Sequence, residues 1–388
     1  MTLEATTVAP DISDAALARV TAALAQTAEQ HDRTAEFPWA GIHTVHDAGL
    51  LTLGIGARYG GPGLSAVDAV RVLGALGAGD PAVALIVAMT LAQHAAQDVA
   101  PWWPEELYRE VVARSQDAPV LLNAVRAEPE WGAPARGGLP ATTVRRDGAD
   151  WVLSGRKGFA TGSEGLAYHL VWAVHHDGPS GEPELAHAVV PGDLPGVRVE
   201  RTWDHLGQRA TSTHDVIYTD VRIPADHFRG VPQSQLHRQD GPVAIALGVP
   251  ALYVGVGRSA QAFLHRFARD RVPTSLGRPI ATTEHIQQTA GQVEALLVQA
   301  EELLLGLAAR LDAGDRSPRT LARLPLAKVL ATKGAIDAVQ TAVAALGNPA
   351  LTRHHPLERH LRDVLAARVH PPQEDAALLA AGRRLLAD

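Results

Sequence analysis

The 388-residue sequence contains no cysteine, and this absence excludes several classes of chemistry at once. A chain without thiols has no disulfide framework, no cysteine nucleophile, no iron–sulfur cluster and no cysteine-bound zinc. Aromatic residues are also scarce, at 4% of the chain. Any redox or covalent chemistry must therefore use other side chains or a bound cofactor.

An excess of positive charge is missing as well. The 35 Lys and Arg residues are outnumbered by 42 Asp and Glu residues, which gives a formal net charge of -7. Because nucleic-acid binding depends on basic residues that neutralise phosphates, this balance predicts no nucleic-acid partner.

Long uninterrupted apolar runs are the third absence. The two longest, residues 81–92 and 245–257, are shorter than the roughly 18 residues that a membrane span needs. Residues 1–10 lack the basic segment and apolar core of a secretory signal. We therefore expect a cytoplasmic enzyme without a membrane partner.

The chain is rich in apolar residues, and their spacing changes from helical to strand-like and back to helical along the sequence. Hydrophobic residues make up 46% of the chain, enough for two or three domains. Helical spacing of apolar residues dominates residues 1–118 and 231–388. Residues 119–230 carry short β-branched runs separated by Gly, Asp and Pro turns. The sequence thus predicts a helical domain, a small antiparallel barrel or sandwich, and a second helical domain, with these boundaries.

Two Gly-x-Gly sequences, Gly54-Ile55-Gly56 and Gly255-Val256-Gly257, are reminiscent of dinucleotide-binding loops. Neither stands between a strand and a helix of an alternating βαβ unit, which that loop requires. We therefore do not predict a Rossmann domain.

Histidine is plentiful, with 18 copies, but its spacing does not predict a metal site. The adjacent pairs His175-His176 and His354-His355 point to different sides of any helix or strand, so each pair is a poor ligand set for one ion. We interpret these four histidines as solvated or capping residues.

Two single histidines have more informative positions. His94 lies at the polar end of an apolar helix that we predict to begin after Asp80, where a buried, hydrogen-bonded histidine is the simplest interpretation. His370 follows a predicted helix over residues 356–369 and precedes Pro371-Pro372. A helix C-terminus favours the protonated imidazole, so both a positioned acid or base and a capping residue fit there.

Several short motifs occur in a fixed order along the chain. They are Tyr59-Gly60-Gly61-Pro62-Gly63, Gly79-Asp80-Pro81, the Gly-Arg-Lys-Gly-Phe-Ala-Thr-Gly run at 155–162, Leu206-Gly207-Gln208-Arg209 and Arg359-His360-Leu361-Arg362-Asp363. Their order, over about residues 37–386, resembles the acyl-CoA dehydrogenase superfamily of flavoproteins. The resemblance implies an α+β fold with an N-terminal α-helical domain, a middle antiparallel β-barrel domain and a C-terminal four-helix bundle. It also implies a flavin cofactor and a homotetramer or homodimer.

The resemblance further implies which residues contact the flavin. Phe159, Thr161 and Gly162 lie in the segment that runs beside the flavin ring in this family. Arg271 loosely matches an arginine that reaches the FAD diphosphate from a neighbouring subunit. The family's Thr-Glu-Pro loop is reduced to Ala127-Glu128-Pro129. Because both cofactor motifs are only loosely matched, FAD and FMN both stay open.

The largest departure from the family concerns the catalytic base. Classical members carry an acidic residue soon after the Arg-Asp motif, which removes the α-proton of an acyl-CoA thioester. Here that place falls at or next to His370-Pro371-Pro372, without a carboxylate. Some relatives place the base on an earlier helix, close to Asp240 in this sequence, although an Asp at a helix start is commonly an N-cap.

A histidine after Arg-Asp instead resembles the flavin-dependent monooxygenase branch, typified by dibenzothiophene monooxygenase. There a partner flavin reductase supplies reduced flavin, which reacts with O2, and imidazoles with pKa values near neutrality serve as acid–base groups. We therefore expect a two-component monooxygenase acting on a small organic substrate, with His370 and His94 as catalytic residues. An FAD-dependent acyl-CoA dehydrogenase with Asp240 as base is the first alternative, and a catalytically inactive flavin-binding or scaffold protein is the second.

Overall fold

The computed structural model describes residues 9–130, 139–176, 183–231 and 243–387. Asp240, the candidate displaced base, lies outside the described residues. The described elements follow the predicted order of helices, strands and helices, in a mixed α+β architecture.

Five helices form the N-terminal part. They are α1 (Asp14–Thr34), α2 (Trp39–Asp47), α3 (Ala66–Gly79), α4 (Pro81–Val99) and α5 (Glu105–Asp117). The predicted start of α4 is confirmed, because the Asp80 carboxylate accepts the backbone N–H groups of Ala82 and Val83, at 2.9 and 3.4 Å. Pro81 occupies the first position of the helix, where no backbone N–H is needed.

The middle part is one eight-stranded sheet. Its strands are β1 (Leu121–Val125), β2 (Thr143–Asp147), β3 (Asp150–Ala160), β4 (Leu166–His175), β5 (Glu184–Pro191), β6 (Val197–Glu200), β7 (His214–Ile223) and β8 (Phe228–Val231). The path runs β6-β7-β3-β2-β4-β5-β8, and β1 pairs with β4. Pairing is antiparallel except for β1 with β4 and a single β2–β4 residue pair.

The β-branched runs in the sequence, at residues 141–146, 151–153, 168–174, 186–190, 197–200 and 215–218, predicted β2 to β7 but not β1 or β8. Strand β1 is almost wholly buried, so it lacks the alternation of apolar and polar residues that marks a half-exposed strand. Strand β8 has only four residues and includes Gly230, and glycine weakens a strand signal.

The C-terminal part is helical again. Its helices are α6 (Val243–Asp270), α7 (Glu284–Asp312), α8 (Pro318–Leu321), α9 (Leu324–Leu346), α10 (Asn348–Leu351), α11 (Leu357–Leu365) and α12 (Glu374–Leu385). Helices α6, α7 and α9 pack against one another, and the shorter α11 lies against α6 and α9. Helix α6 also packs along α3, so one hydrophobic core continues from the bundle into the N-terminal helices.

The two Gly-x-Gly sequences are explained by close backbone packing. A Cβ atom at Gly255 would lie 2.1 Å from the carbonyl oxygen of Gly74, where α6 crosses α3. A Cβ atom at Gly54 would lie 2.7 Å from the carbonyl oxygen of Leu91 in α4. Real Cβ atoms cannot approach so closely, so these glycines permit helix contacts.

The expectation that no segment is long and apolar enough for a membrane span was wrong. By length and composition alone, helices at Pro81–Val99, Val243–Asp270 and Pro318–Leu346 qualify. These helices were missed because the sequence analysis considered only uninterrupted apolar runs. A helix with a few polar residues can still have a mean hydropathy high enough for a membrane span. In the structure, 67%, 72% and 50% of their most apolar windows are buried inside the fold.

Candidate active site

The end of β3, together with the turn after it, presents an aromatic ring to solvent. The pairing of β3 with β7 changes register between Lys157 and Ala160, and Phe159 lies in this irregular stretch with a positive φ of 54°. Positive φ is uncommon for a residue with a side chain, and strand irregularities often re-aim side chains near functional sites. Phe159 is 58% exposed, whereas Ala160 and Thr161 are buried.

A buried ion pair supports this turn from behind. Lys157 is 0% exposed and donates to Glu128 at 2.8 Å. Glu128 also accepts the Thr142 hydroxyl and the Ala141 backbone N–H, each at 2.7 Å. Burial raises the pKa of Glu128, but these hydrogen bonds outweigh burial and lower it. The loosely matched Ala127-Glu128-Pro129 segment is therefore fixed against β3.

Thr161 is the end of a chain of buried hydroxyl groups. The Thr213 hydroxyl donates to the Thr161 hydroxyl at 3.1 Å, and the Thr211 and Thr213 hydroxyls are 2.7 Å apart. Thr211 donates to the Gln208 carbonyl at 2.8 Å. The Asn123 amide donates to the Thr161 carbonyl at 2.9 Å. Strand β1 and the segment before β7 thus hold Thr161 in place, and Gly162 follows it with a φ of 84°.

The same segment before β7 is attached to α11. The Gln208 backbone N–H donates to Asp363 at 2.7 Å, and a Cβ atom at Gly207 would lie 2.3 Å from the Arg362 carbonyl oxygen. Burial raises the pKa of Asp363 to about 7, and the nearby Asp32 carboxylate adds to this effect. The Arg-Asp motif therefore ties the last helices to the middle domain.

His370 lies where three helical segments meet. It shares a 2.5 Å hydrogen bond, through Nε2, with the hydroxyl of the fully buried Tyr253 in α6. Lys328, in α9, is buried and donates to the carbonyl of Ala367 at 3.0 Å. Burial, and to a smaller extent the charge of Lys328, lowers the pKa of His370 to about 4.

This environment corrects the prediction that a helix end favours protonated His370. Helix α11 ends at Leu365, and a short 3-10 turn over Ala366–Arg368 separates it from the histidine. The macrodipole acts within the last helical turn, whereas desolvation and a nearby ammonium group act on the ring directly. The imidazole of His370 is therefore neutral at pH 7.

His94 belongs to a second histidine–tyrosine pair. Its Nδ1 shares a 2.9 Å hydrogen bond with the Tyr108 hydroxyl, which confirms the local interpretation of a buried, hydrogen-bonded histidine. Its Nε2 is buried without a partner among the described residues. Burial lowers the pKa of His94 to about 4. One turn earlier on α4, the Thr90 hydroxyl accepts the Leu122 backbone N–H of β1 at 3.1 Å, so this helix face packs towards the strand that holds Thr161.

The structure does not bring the predicted catalytic histidines together. Within the part of the chain that the structure describes, no hydrogen bond joins His94 to His370, and each histidine has its own tyrosine. Arg271 is exposed just after the end of α6. The flavin contacts of Phe159, Thr161 and Arg271 stay predictions.

Sequence reasoning missed Tyr253 and Lys328. Tyr253 lies in an apolar helix and so was indistinguishable from a core residue. Lys328 did carry a signal, because a lone lysine interrupts an otherwise apolar helical stretch and so needs a partner. Tyr108, the partner of His94, gave no comparable signal.

The residues at this corner fit a flat, hydrogen-bonding cofactor. Phe159 offers an exposed aromatic face, and Thr161 offers a hydroxyl at the end of its chain. The buried polar atoms that lack partners among the described residues include Nε2 of His94 and both amide atoms of Gln208. Buried polar groups without partners are rare in native proteins and often indicate a missing ligand. Searched over the described residues, no group of three or more His, Asp or Glu side chains could hold a metal ion.

Comparison with known proteins places the whole chain in one family. Models of the N-terminal, middle and C-terminal domains of acyl-CoA dehydrogenase match residues 10–102, 124–221 and 247–372. The chain is 33% identical over 363 residues to "Putative acyl-CoA dehydrogenase YdbM" of Bacillus subtilis (strain 168), covering 93% of both chains.

Two other similar proteins are not named as acyl-CoA dehydrogenases. Amino sugar nitrososynthase RubN8 of Streptomyces rubradiris is 27% identical over 366 residues, covering 89% of this chain and 82% of that protein. The crystal structure of TdsC from Paenibacillus sp. A11-2 with FMN and indole aligns with a TM-score of 0.84, at 21% identity and 96% coverage of both chains. The chain belongs to the acyl-CoA dehydrogenase superfamily and is a flavin-dependent oxidoreductase.

Proposed function

We propose that this flavoprotein is the oxygenase of a two-component monooxygenase acting on a small organic substrate. The observation that carries the proposal is the sequence His370-Pro371-Pro372, because the family resemblance puts the carboxylate base of classical dehydrogenases at or next to it. The nearest following carboxylates, Glu374 and Asp375, are exposed at the start of α12. A neutral imidazole bound to Tyr253 is suited to proton transfer with a hydroxyl, thiol or amine. The family's dehydrogenases use a carboxylate to remove the carbon-bound α-proton, and the proposal rests on the absence of a carboxylate at this position.

The cofactor is held, in this proposal, by the turn after β3. Phe159 packs against the flavin ring, Thr161 hydrogen-bonds its edge, and the Gly162 turn keeps the backbone close. When bound and reduced, the flavin supplies the electrons that activate O2. Arg271 of a neighbouring subunit contacts the phosphates, so the proposal includes a homodimer or homotetramer. The mass of the flavin that copurifies distinguishes FAD from FMN.

His370 and His94 handle protons on the substrate side. Both imidazoles are neutral at pH 7, since burial lowers the pKa of each to about 4. Each can therefore accept a proton, and a proton placed there is released readily because burial disfavours the imidazolium ion. Tyr253 and Tyr108 fix the orientation of the two rings. The required external components are a flavin reductase, O2 and the substrate.

Two relatives support this branch and indicate a substrate class. TdsC was crystallised with FMN and indole, and RubN8 is named for action on amino sugars. Both names concern small organic compounds that carry an N–H group. The structural similarity to TdsC supports only the fold of this chain. The proposal of a monooxygenase reaction depends on His370 in place of the carboxylate base.

An acyl-CoA dehydrogenase remains the second candidate, favoured by the 33% identity to YdbM. Its base is Asp240, which lies outside the described residues. The fold accommodates either reaction, so the choice depends on the base.

The reaction of reduced flavin with O2 tests the monooxygenase proposal. The protein is loaded with reduced flavin without oxygen and then mixed with oxygenated buffer, with and without indole as probe. We expect reoxidation in more than one kinetic phase, with protein-dependent oxygenation of indole or of an amino-sugar probe. If the bound flavin stays reduced in oxygenated buffer, the proposal is wrong.

A further inference from the structure

A cavity lined by several arginines lies beside the segment before β7. It has a volume of about 690 Å³ and opens between the end of α1, residues 204–209 and the start of α11. Five arginines line it, against four carboxylates, so the lining has an excess of one positive charge. This volume is within the range of small-molecule sites, about 300–1,000 Å³. The five are Arg33, Arg209, Arg353, Arg359 and Arg362; we call this space the arginine cavity.

Most carboxylates in the arginine cavity already have partners. Arg362 binds both oxygens of Asp32, at 2.6 and 2.7 Å, and both oxygens of Glu358, at 2.8 and 3.0 Å. Glu29 is 2.5 Å from Arg33. Asp204 is 95% exposed and lies 3.6 Å from Arg209. These acids are therefore not available to the remaining arginines.

Arg359 and Arg353 are the arginines left over. Arg359 is 8% exposed, and its Nε atom is buried without a hydrogen-bond partner in the ranges that the structure describes. None of the described carboxylates lies within ion-pair distance of either side chain. The charge of Arg359 acts on the Asp363 carboxylate, one turn further along α11, but its Nε–H group has no acceptor among the described residues. A buried donor without an acceptor is costly in a protein, so we expect an anion to complete the site.

The start of α11 adds donors of its own. Its N-cap residue, Pro356, provides no side-chain hydrogen bond, and both Pro356 and Glu358 line the arginine cavity. The free backbone N–H groups and the positive end of a helix bind anions, phosphate groups above all. The uncapped helix start and the unpaired Arg359 thus meet in one cavity and require the same kind of ligand.

The wall of the cavity also has an aromatic surface. The His205 ring stacks on Trp203 with ring centroids 3.5 Å apart and planes 11° apart, and His205 lines the cavity beside Leu206, which is 64% exposed. A single phosphate ion would fill only a small part of this volume. The wall instead suits the organic portion of a larger molecule.

We propose that the arginine cavity binds a phosphate-bearing organic molecule such as a nucleotide, at a site separate from the flavin. Arg359 and Arg353 pair with the phosphate, the start of α11 donates backbone hydrogen bonds, and His205 contacts the organic group. This site does not depend on which reaction the flavin performs.

Calorimetric titration of the flavin-loaded full-length protein tests this site, with ADP and inorganic phosphate as the probes in separate arms. We expect ADP to bind one site per chain without releasing flavin, and inorganic phosphate to bind more weakly at the same site. Arg359→Met and Arg353→Ala should each weaken ADP binding about tenfold or more, the effect of losing a charged hydrogen bond. Arg198→Ala, which removes an exposed arginine in β6, is the matched control and should leave affinity within about twofold.

A stability measurement separates a ligand-binding role of Arg359 from a structural one. Because Arg359→Met removes a buried N–H group that has no acceptor in the described part of the chain, we expect its thermal midpoint to be equal to or above that of the unchanged protein. Arg353 is exposed, so Arg353→Ala tests the site even if Arg359→Met fails to fold. The proposal is overturned by absence of ADP binding, by unchanged affinity in Arg353→Ala, or by displacement of the flavin by ADP.

Discussion

Replacing His370 by alanine is expected to lower kcat by about 100-fold or more, the usual contribution of a positioned acid–base group. The substitution removes the imidazole that is hydrogen-bonded to Tyr253 and leaves the end of β3 and its turn untouched. Flavin binding, measured by fluorescence titration, should therefore stay within about twofold of the unchanged protein, since no flavin contact is removed. The turnover measurement uses whichever of indole or the amino-sugar probe the protein oxygenates.

Two further variants make this result specific. Tyr253→Phe keeps the imidazole but removes its hydrogen bond, so we expect a smaller loss of kcat and a changed pH profile. His354→Ala removes an exposed histidine and should change neither quantity. Undiminished turnover in His370→Ala would refute the role assigned to this residue.

The second large effect is loss of stability in acid. Three buried histidines and two partly buried ones have lowered pKa values, of about 4 for His94, His169 and His370 and about 3 for His187 and His360. Burial is the first cause in every case. In the unfolded chain each titrates near 6.5, so between pH 6.5 and about 4 the unfolded state binds more protons than the folded state. The stability from these groups is complete above pH 6.5 and is lost as the pH falls towards 4.

The size of this effect follows from the shifts. A shift of about 2.5 pKa units corresponds to roughly 3 kcal/mol for one fully buried histidine, which is a large fraction of the stability of a typical domain. Asp363 opposes them weakly, because its pKa is raised to about 7, so its contribution is greatest at low pH and is lost as the pH rises towards 7. We therefore expect the urea midpoint to fall steeply between pH 6.5 and 4.

Two variants, one of a core histidine and one of a surface histidine, test whether buried histidines cause the pH dependence of stability. His169→Phe removes one buried titrating ring, hydrogen-bonded to Tyr218 at 2.8 Å, and should flatten the pH dependence although it costs stability at neutral pH. His354→Ala should leave the curve unchanged. A urea midpoint that is constant from pH 7 to pH 4 would show that these histidines are not buried as neutral rings.

Much of the fold was predictable from local sequence. The Asp80-Pro81 start of α4 was recognisable because capping depends on a few adjacent residues. Strand β1 was not, because a buried parallel strand has no alternation to recognise. The roles of Gly54 and Gly255 depend on which backbone lies opposite, which local sequence does not contain.

The candidate site was less accessible to sequence reasoning than the fold. His370 was identified by its place after Arg362-Asp363, but its neutral state depends on burial and on Lys328, which is 42 positions earlier in the chain. Tyr253 approaches from another helix, and the arginine cavity combines three segments that are far apart in sequence. A sequence motif can therefore identify the position of a candidate residue, but its protonation state and partners depend on contacts with distant parts of the chain.

The most direct test of the central claim is anaerobic mixing of the oxidised flavoprotein with short-, medium- and long-chain acyl-CoA thioesters. The claim is that His370 replaces the carboxylate needed for α-proton removal. It predicts that the visible absorbance of the oxidised flavin is unchanged by every thioester, while the chemically reduced flavin is reoxidised by O2. Rapid bleaching of the flavin by any thioester would contradict the claim and identify the protein as an acyl-CoA dehydrogenase.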